Sequence, residues 1–554
     1  MVKRLLERIA RPVRGLHQAA YVLAGLTLAS QLLALLRDRT FAHVFGASQT
    51  LDFYYAAFKV PDLVFALVSS LVSAYILIPR ITGASREEAG RFLSESLTFL
   101  LAGGGVICLA LALLAPEILF SIYPQFAASP QAGAFILLAR ILLIQPILLG
   151  ASGVLGSVTQ VERQFFLFAL APVLYNLGII LGTVLLFPRL GLPGIGYGVV
   201  AGSLAYVATN LPSLARAGIR IRFIRPRLAE LLPVVRDSIP RSLALGMDSF
   251  TLLFLTALAA RLSEGSVSVF TLAGNLENVP LSLIGGSYAV AAFPALSKHA
   301  ADREEFTRVL SGSARHIILW SMVFIGLVIT LRAYIVRVIL GSGAFDWDAT
   351  RLTAALLALF VVGLAAQGLV LLFSRALYAV KQSWRPFFYQ LGAALFTAAA
   401  ALLLLSPAAR GSFAPWLAGI LRVGDISDAL VLTLAFAATL GEIFLAAFAT
   451  YALRQAAPGL ARSLLRPLLE GGVAAFAGGG AAYLALWYLG GIAPLSTSGV
   501  VFADGFIAGV LGLAASALTL FLLKNEEFAD IVSAARRIST KILPPSAPEE
   551  AIPN

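Results

Sequence analysis

The chain has 554 residues, of which 59% are hydrophobic and only 13% are charged. A soluble protein cannot bury so much apolar surface, so this composition excludes a water-soluble globular domain. The apolar residues form continuous runs of about 20, the length an α-helix needs to cross roughly 30 Å of hydrocarbon. Because the runs do not alternate with polar residues, they do not fit barrel strands. The sequence therefore predicts an all-α polytopic membrane protein.

We predict about fourteen membrane-spanning helices joined by short polar segments. In chain order they lie near residues 19–36, 52–81, 92–115, 134–157, 166–187, 190–215, 242–260, 276–293, 314–331, 352–380, 386–405, 428–452, 470–489 and 500–523. An even number of spans places both termini on the same side of the membrane.

The distribution of lysine and arginine predicts which side that is. With the N-terminus inside, the inner segments carry 30 basic residues and the outer segments carry 9, while Lys59 and Arg140 lie within helices. Basic residues are enriched in cytoplasmic loops, so both termini are predicted to be cytoplasmic. The net charge of +12 is then explained by topology and attraction to anionic membrane lipids, without a nucleic-acid partner.

The two ends of the chain have simple interpretations. Residues 1–18 form a basic N-terminal segment that resembles the start of a signal peptide. The apolar run after it is long and has no convincing cleavage site, so we predict an uncleaved first helix. Residues 524–554 form a polar cytoplasmic tail that we expect to be disordered. The single cysteine, Cys108, excludes a disulfide within the chain.

A weak internal repeat divides most of the chain into two similar parts. Val60-Pro61 recurs 219 residues later as Val279-Pro280, and the same offset relates Val161 to Val380, which lie in two short polar turns at residues 160–163 and 380–383. We predict two pseudo-symmetric six-helix lobes, 19–227 and 228–455, followed by helices 13 and 14 in 456–523. Parallel halves of this kind are typical of transporters that rock around a central site. Each proline could give a functional bend or only a packing kink.

Several ionisable residues lie within or at the ends of the predicted spans. Such a side chain is costly in the membrane unless it faces a cavity or a partner. One interpretation is structural, with wet helix ends, snorkelling chains and local ion pairs. The other is a hydrated cavity whose cations hold an anionic substrate such as a phosphate. The candidates are Arg37, Asp38, Asp52, Lys59, Asp62, Arg140, Asp248, Arg261, Glu277 and Glu442.

Other classes of protein find little support in the residues. The chain has no phosphate-binding loop that ends in Gly-Lys-Ser/Thr, and its four histidines have no metal-site spacing. Asp346-Trp347-Asp348 stands alone as a possible catalytic pair, and no pore motif is visible. We therefore expect a non-enzymatic protein with no cofactor and no metal centre. A coupling cation or the membrane potential stays open as an energy source.

Specific stretches resemble the MurJ/MviN family of lipid II flippases, within the multidrug/oligosaccharidyl-lipid/polysaccharide exporter superfamily. The stretch that resembles it most is Arg37-Asp38, then Val44-Phe45-Gly46-Ala47, Asp52-Phe53 and Ala57-Phe58-Lys59-Val60-Pro61. Supporting stretches are Gly265-Ser266-Val267-Ser268, Phe293-Pro294-Ala295-Leu296-Ser297 and Gly343-Ala344-Phe345. The resemblance spans about residues 20–455.

The resemblance implies two lobes in a V, a central cationic cavity and a lipid-tail groove beside helices 13 and 14. The implied activity is transfer of the peptidoglycan precursor, an undecaprenyl-pyrophosphate-linked sugar, to the outer leaflet of the bacterial inner membrane. Membrane lipids and cell-wall synthesis proteins are the implied partners. We expect Arg37, Lys59 and Arg140 to bind the pyrophosphate and Asp248 and Glu442 to serve ion coupling. The expected supporting residues are Asp38, Asp52, Pro61, Asp62, Asn275, Glu277 and Pro280.

The sequence departs from the family pattern at positions where the family usually has cavity arginines. Gln31 stands six residues before Arg37, Phe65-Ala66 follows the Pro61 motif, and Gly274-Asn275 replaces an Asp-Arg pair. Two alternatives therefore stay open. One is export of another lipid-linked glycan or a cationic drug, and the other is a non-transporting membrane scaffold.

Overall fold

The computed structural model describes residues 16–69, 74–426, 429–492 and 497–533. Most of the predicted basic N-terminal segment and most of the predicted C-terminal tail lie outside the described residues. Within the described ranges every regular element is helical and no strand occurs. The prediction of an all-α membrane protein is confirmed.

The first part of the chain, up to residue 217, forms eleven α-helices within the described residues. In order, α1 to α11 are Leu16–Phe45, Gln49–Ser69, Ala74–Ile81, Arg86–Leu113, Ala115–Ile122, Ala132–Leu142, Ile144–Val161, Phe165–Leu181, Phe187–Leu190, Leu192–Ala208 and Leu211–Ala217. A short 3₁₀ turn, Pro124–Phe126, precedes α6, and a π-helical segment, Gly182–Leu186, joins α8 to α9.

The remaining part forms twelve α-helices within the described residues. In order, α12 to α23 are Leu228–Ala259, Ser266–Leu281, Ser287–Lys298, Arg303–Ile339, Trp347–Val362, Leu364–Ala379, Trp384–Leu404, Pro407–Gly411, Phe413–Ile420, Val431–Ala452, Leu460–Ile492 and Ser498–Leu522.

Twelve of the fourteen predicted spans coincide with helices that are long and apolar enough to cross a membrane. Over the described residues, eleven helices are long and apolar enough to cross a membrane, and the pair α16 and α17, bent by 46°, supplies a twelfth. These twelve coincide with the third to fourteenth predicted spans. The first two predicted spans fall on α1 and on α2 with α3, which do not meet the same test, so the count of fourteen is not confirmed. One reason is that α2 carries three charged side chains, Asp52, Lys59 and Asp62.

By its backbone contacts the chain divides into two compact units. The first comprises residues 1–279, 336–360 and 381–448. Within it α1 packs on α8, α8 packs on α10, and α2 packs on both α7 and α12. The second unit comprises residues 280–335, 361–380 and 449–554, and within it α22 pairs with α23 and α14 packs on α17. The sequence-predicted lobe boundaries stay a prediction.

The two turns related by the repeat have a common backbone feature. Arg163 has φ 56° and Lys381 has φ 59°, so each turn places one basic residue in the left-handed region. Such residues commonly end a helix and reverse the chain. The two residues are 218 positions apart, one short of the repeat offset, so the left-handed residue is shifted by one position between the turns.

The two repeated prolines are not equivalent in the structure. Pro61 is buried within α2, which continues as an α-helix to Ser69. Pro280 lies near the end of α13 and is followed directly by the π-helical segment Ser282–Gly286. Proline removes a backbone donor, and π segments often accompany the resulting break in a helix. A break in regular α geometry therefore follows only the second proline.

Candidate functional site

The first unit contains a network of polar side chains centred on the end of α1. Nε of Arg37 donates to Oδ1 of Asp38 at 2.9 Å, and Nη2 lies 2.8 Å from the same oxygen. Nη1 of Arg37 donates to Oδ1 of Asn176 on α8 at 3.1 Å. The Arg37 side chain is 19% exposed. Its guanidinium is therefore held in place from two sides, and part of its donor capacity remains for another anion.

Asp38 links this arginine to a distant part of the chain. Its Oδ2 accepts a hydrogen bond of 3.0 Å from Nδ2 of Asn275 on α13. The Asp38 side chain is only 3% exposed. Because each oxygen of a carboxylate can accept separately, one buried carboxylate orients Arg37 and Asn275 together.

Asp52 lies at the start of α2 and its contacts are those of a helix cap. Oδ2 accepts the backbone N–H of Gly265, and Oδ1 accepts both the backbone N–H and the hydroxyl of Ser268, at 2.5–2.8 Å. These donors surround the N-terminus of α13, where free N–H groups and the helix dipole favour a carboxylate. Among the described residues Asp52 has no contact with Arg37 or Lys59, so the expected support for these cations is not seen.

The start of α13 also depends on Gly265. This residue has φ +84°, and a Cβ there would lie 2.6 Å from the carbonyl oxygen of Ala47. A side chain at this position would meet both strain and a steric clash. The Gly265-Ser266-Val267-Ser268 stretch thus supplies the backbone and hydroxyl donors that bind the Asp52 carboxylate.

Lys59 lies one turn before Asp62 on α2, so the two residues lie on one face of the helix. It interacts electrostatically with Asp62 and with Asp248 on α12, the helix against which α2 packs. Over the described part of the chain Lys59 forms no ion pair within 4 Å and no hydrogen bond. Its ammonium group is therefore attracted by two carboxylates without being bound by either.

A second, acidic group adjoins the first through Asp248. Glu442 on α21 interacts electrostatically with Asp248 and with Glu277 on α13. The Glu277 side chain is buried and that of Asp248 is exposed. In the ranges that the structure covers, no group of three or more His, Cys, Asp or Glu residues is arranged to hold a metal ion. Asp248 thus lies near both the Lys59 ammonium and the Glu442 carboxyl group.

Arg140 lies apart from these contacts. It is exposed near the end of α6, and its Nε donates to the backbone oxygen of Ala112 on α4 at 2.8 Å. Among the described contacts it meets neither Arg37 nor Lys59. Its place as a third substrate-binding cation receives no geometric support.

Three uncharged residues of the network, Asn176, Gln145 and Tyr175, were not among the predicted site residues. Besides Asn176, Gln145 on α7 donates from Nε2 to the hydroxyl of Tyr175 at 3.0 Å. Tyr175 in turn interacts electrostatically with both Asp62 and Arg37. Isolated Gln and Asn residues within apolar runs are the signal that could have identified them.

Comparison with known proteins agrees with this arrangement of helices. Residues 41–496 match the family described as "Lipid II flippase MurJ". The lipid II flippase MurJ of Burkholderia cenocepacia is 25% identical over 400 residues, which cover 69% of this chain and 77% of that protein.

Solved structures extend the comparison to the fold. A structure of "Lipid II flippase MurJ, inward closed conformation" aligns with a TM-score of 0.70 at 20% identity, over 91% of this chain and all of that one. An inward-facing multidrug resistance MATE family transporter aligns with a TM-score of 0.62 at 16% identity, over 80% of this chain and 99% of that one. At these identities the structural matches establish the fold. The family match covers most of the chain, and this protein therefore belongs to the lipid II flippase MurJ family.

Proposed function

We propose that this protein is a flippase that moves lipid II, an undecaprenyl-pyrophosphate-linked glycan, from the inner to the outer leaflet by alternating access. Family membership supports the class of activity. The observation that carries the proposal is Lys59, a cation within a helix of the membrane domain that has no ion pair within 4 Å among the described residues. A cation held in a membrane protein without a bound counter-ion favours an anionic partner.

In this proposal Lys59 and Arg37 hold the pyrophosphate. Arg37 contributes the N–H groups that Asp38 and Asn176 leave free, and its fixed orientation lowers the entropy lost on binding. Lys59 contributes a mobile point charge, which suits a group that must bind and then leave. Asp62 and Asp248 attract the ammonium, and neither forms an ion pair with it within 4 Å.

The proposal places the protein in the bacterial inner membrane with both termini in the cytoplasm. The excess of basic residues in the predicted inner segments, 30 against 9, supports this orientation.

Asp248 and Glu442 are proposed to couple transport to a cation or to the membrane potential, because two acidic groups close together bind a cation or proton more readily than one. Cell-wall synthesis proteins are proposed partners.

A different cargo of the same superfamily is the alternative. Gln31, Phe65 and Asn275 stand where the family usually has arginines, and the fold is shared with MATE transporters. These features favour either another lipid-linked oligosaccharide or a drug. A scaffold without transport is the third possibility, and it requires no bound substrate.

Native mass spectrometry of the purified protein with lipid II and with other undecaprenyl-pyrophosphate lipids tests the proposal. Lipid II should bind preferentially, and Lys59→Ala should weaken its binding by about tenfold, the value of one charge-assisted hydrogen bond. Lys298→Ala, which removes an exposed lysine at the end of α14, is the matched control and should bind normally. Preference for another lipid-linked sugar would change the cargo, and binding of none of these lipids would contradict the flippase proposal.

A further inference from the structure

Residues 218–227 form a segment without regular secondary structure that joins α11 to α12 in the first unit. We call this segment, Gly-Ile-Arg-Ile-Arg-Phe-Ile-Arg-Pro-Arg, the arginine strap. Within it, the side chains of residues 219–222 alternate between the protein and its surroundings. Ile219 and Ile221 pack against the buried core formed around Leu93 and Leu97, whereas Arg220 and Arg222 are exposed.

Two buried polar residues of α4 fix the backbone of the strap. Oγ of Ser94 accepts the backbone N–H of Arg222 at 3.0 Å. Oε2 of Glu95 accepts a hydrogen bond of 3.4 Å from the backbone N–H of Arg227. Oε1 of Glu95 accepts one of 2.9 Å from Nε of Arg227. Because the strap is tied to buried groups at two points, the outward direction of the intervening side chains is set by the fold and is not a property of a free loop.

The outward face of the strap is strongly basic. Arg220, Arg222 and Arg225 are exposed and form no ion pair within 4 Å among the described residues. Arg86 extends the same surface, since its Nη1 would lie 3.3 Å from a Cβ added to Gly218. Among the neighbouring carboxylates of α4, Glu95 is engaged by Arg91 and Arg227 and Glu88 by Ser85, while the exposed Glu87 forms no ion pair within 4 Å among the described residues. Four guanidinium groups therefore share one surface without a bound carboxylate from the described part of the chain.

An exposed aromatic ring lies among these arginines. Phe223 is 79% exposed. A ring that projects between cations in a fixed segment is typical of surfaces that lie in the membrane interface, where the ring enters the headgroup region and the cations meet phosphates.

The position of the strap along the helices agrees with such a surface. The N-terminal end of the candidate span Arg86–Leu113 and the C-terminal end of the candidate span Leu192–Ala217 lie beside it. It therefore lies where apolar helix gives way to polar chain, close to the expected boundary between membrane and water.

We propose that the arginine strap binds anionic phospholipid headgroups of the cytoplasmic leaflet, with Phe223 inserted between the lipids. Charge complementarity favours this occupant over a zwitterionic surface, because each arginine near an anionic leaflet adds attraction that falls off within the screening length. The inference uses the orientation given under Proposed function but does not depend on the cargo.

Tryptophan fluorescence in reconstituted membranes tests this surface. The Phe223→Trp variant is placed in vesicles that contain brominated phosphatidylglycerol or brominated phosphatidylcholine at the same mole fraction, and the signal of the parent chain, with its five tryptophans, is subtracted. We expect the brominated anionic lipid to quench the introduced tryptophan about twofold more than the zwitterionic one, and we expect this difference to shrink in high salt.

Two sets of arginine substitutions separate the strap from general charge. Arg220→Gln, Arg222→Gln and Arg225→Gln together, in the Phe223→Trp background, should abolish the preference for the anionic lipid. The matched control removes three exposed arginines elsewhere, Arg303, Arg410 and Arg462, in the same way, and it should leave the preference intact.

Absence of quenching by both lipids would overturn the proposal, because the strap would then lie away from the membrane. Equal quenching by both lipids would overturn it as well, because anionic headgroups would not be selected. Labelling of Phe223→Cys by an impermeant maleimide from one side of the membrane tests the orientation separately. Absence of lipid II flipping by the parent chain, together with the expected quenching pattern, would contradict only the flippase proposal.

Discussion

Nδ2 of Asn275 donates a hydrogen bond of 3.0 Å to Oδ2 of Asp38, although 237 residues separate them in the chain. The other oxygen of Asp38 holds Arg37. The orientation of Arg37 in α1 thus depends on an amide of α13 through one shared carboxylate. Asn275, which differs from the arginine expected from the family resemblance, thus takes part in the hydrogen-bond network around Arg37.

Replacement of Asn275 should therefore affect Arg37 as well as stability. Asn275→Ala leaves one oxygen of a buried carboxylate without its partner, and we expect a loss of about 1–3 kcal/mol in stability. Thermal unfolding in detergent measures it. Asn278→Ala is the control, because Asn278 is exposed and donates to the backbone of its own helix, at Gly274. Equal losses in the two variants would contradict the shared-carboxylate account.

Removal of Arg140 should leave transport largely intact. Its hydrogen bond joins it to the backbone of α4 rather than to the network around Arg37. We expect Arg140→Ala to retain flipping within about twofold of the parent, since loss of one exposed hydrogen bond changes little. A lipid II flipping assay in vesicles, with Lys59→Ala as the impaired comparison, measures this. A loss as large as that of Lys59→Ala would restore Arg140 to the substrate site.

The cap that Asp52 forms should contribute more than an exposed cap of the same kind. Asp52→Ala leaves the backbone N–H groups of Gly265 and Ser268 unpaired in a buried place, at a cost of about 1–3 kcal/mol. Asp346 provides the control, because its exposed carboxylate accepts the N–H of Ala349 at the start of α16. We expect Asp346→Ala to cost about 0.5–2 kcal/mol. Thermal unfolding measures both losses of stability. A larger loss for Asp346→Ala than for Asp52→Ala would contradict the prediction.

The three consecutive glycines of α22 should respond differently to alanine. A Cβ on Gly478 would lie 2.7 Å from the carbonyl oxygen of Gly512 and against Ser516 of α23, whereas a Cβ on Gly480 meets nothing within 4 Å. We expect Gly478→Ala to destabilise the pair of helices by about 1–3 kcal/mol. Gly480→Ala is the matched control and should match or exceed the stability of the parent, because alanine favours helix. Equal stabilities of the two variants in thermal unfolding would contradict the predicted steric cost of a side chain at Gly478.

The charge pattern of α2 shows both the reach and the limit of sequence reasoning. Lys59 and Asp62 are three residues apart on α2, and they interact electrostatically because residues at this spacing lie on one face of a helix. Asp52, on the same helix, was among the expected supporting residues of the site. Its partners instead come from residues more than 200 positions away, and no local pattern could place them.

The sequence by itself determined that this is an all-helical membrane protein, where twelve of its spans lie and to which family it is related. These properties are local, because an apolar run of sufficient length must satisfy its own backbone hydrogen bonds in lipid. Only the tertiary structure decided that Asn275 and Asn176 orient Arg37, that Lys59 stays without an ion pair among the described residues, and that Arg140 lies apart. Which face of a helix meets a partner depends on how distant segments pack, and that packing is a property of the whole fold.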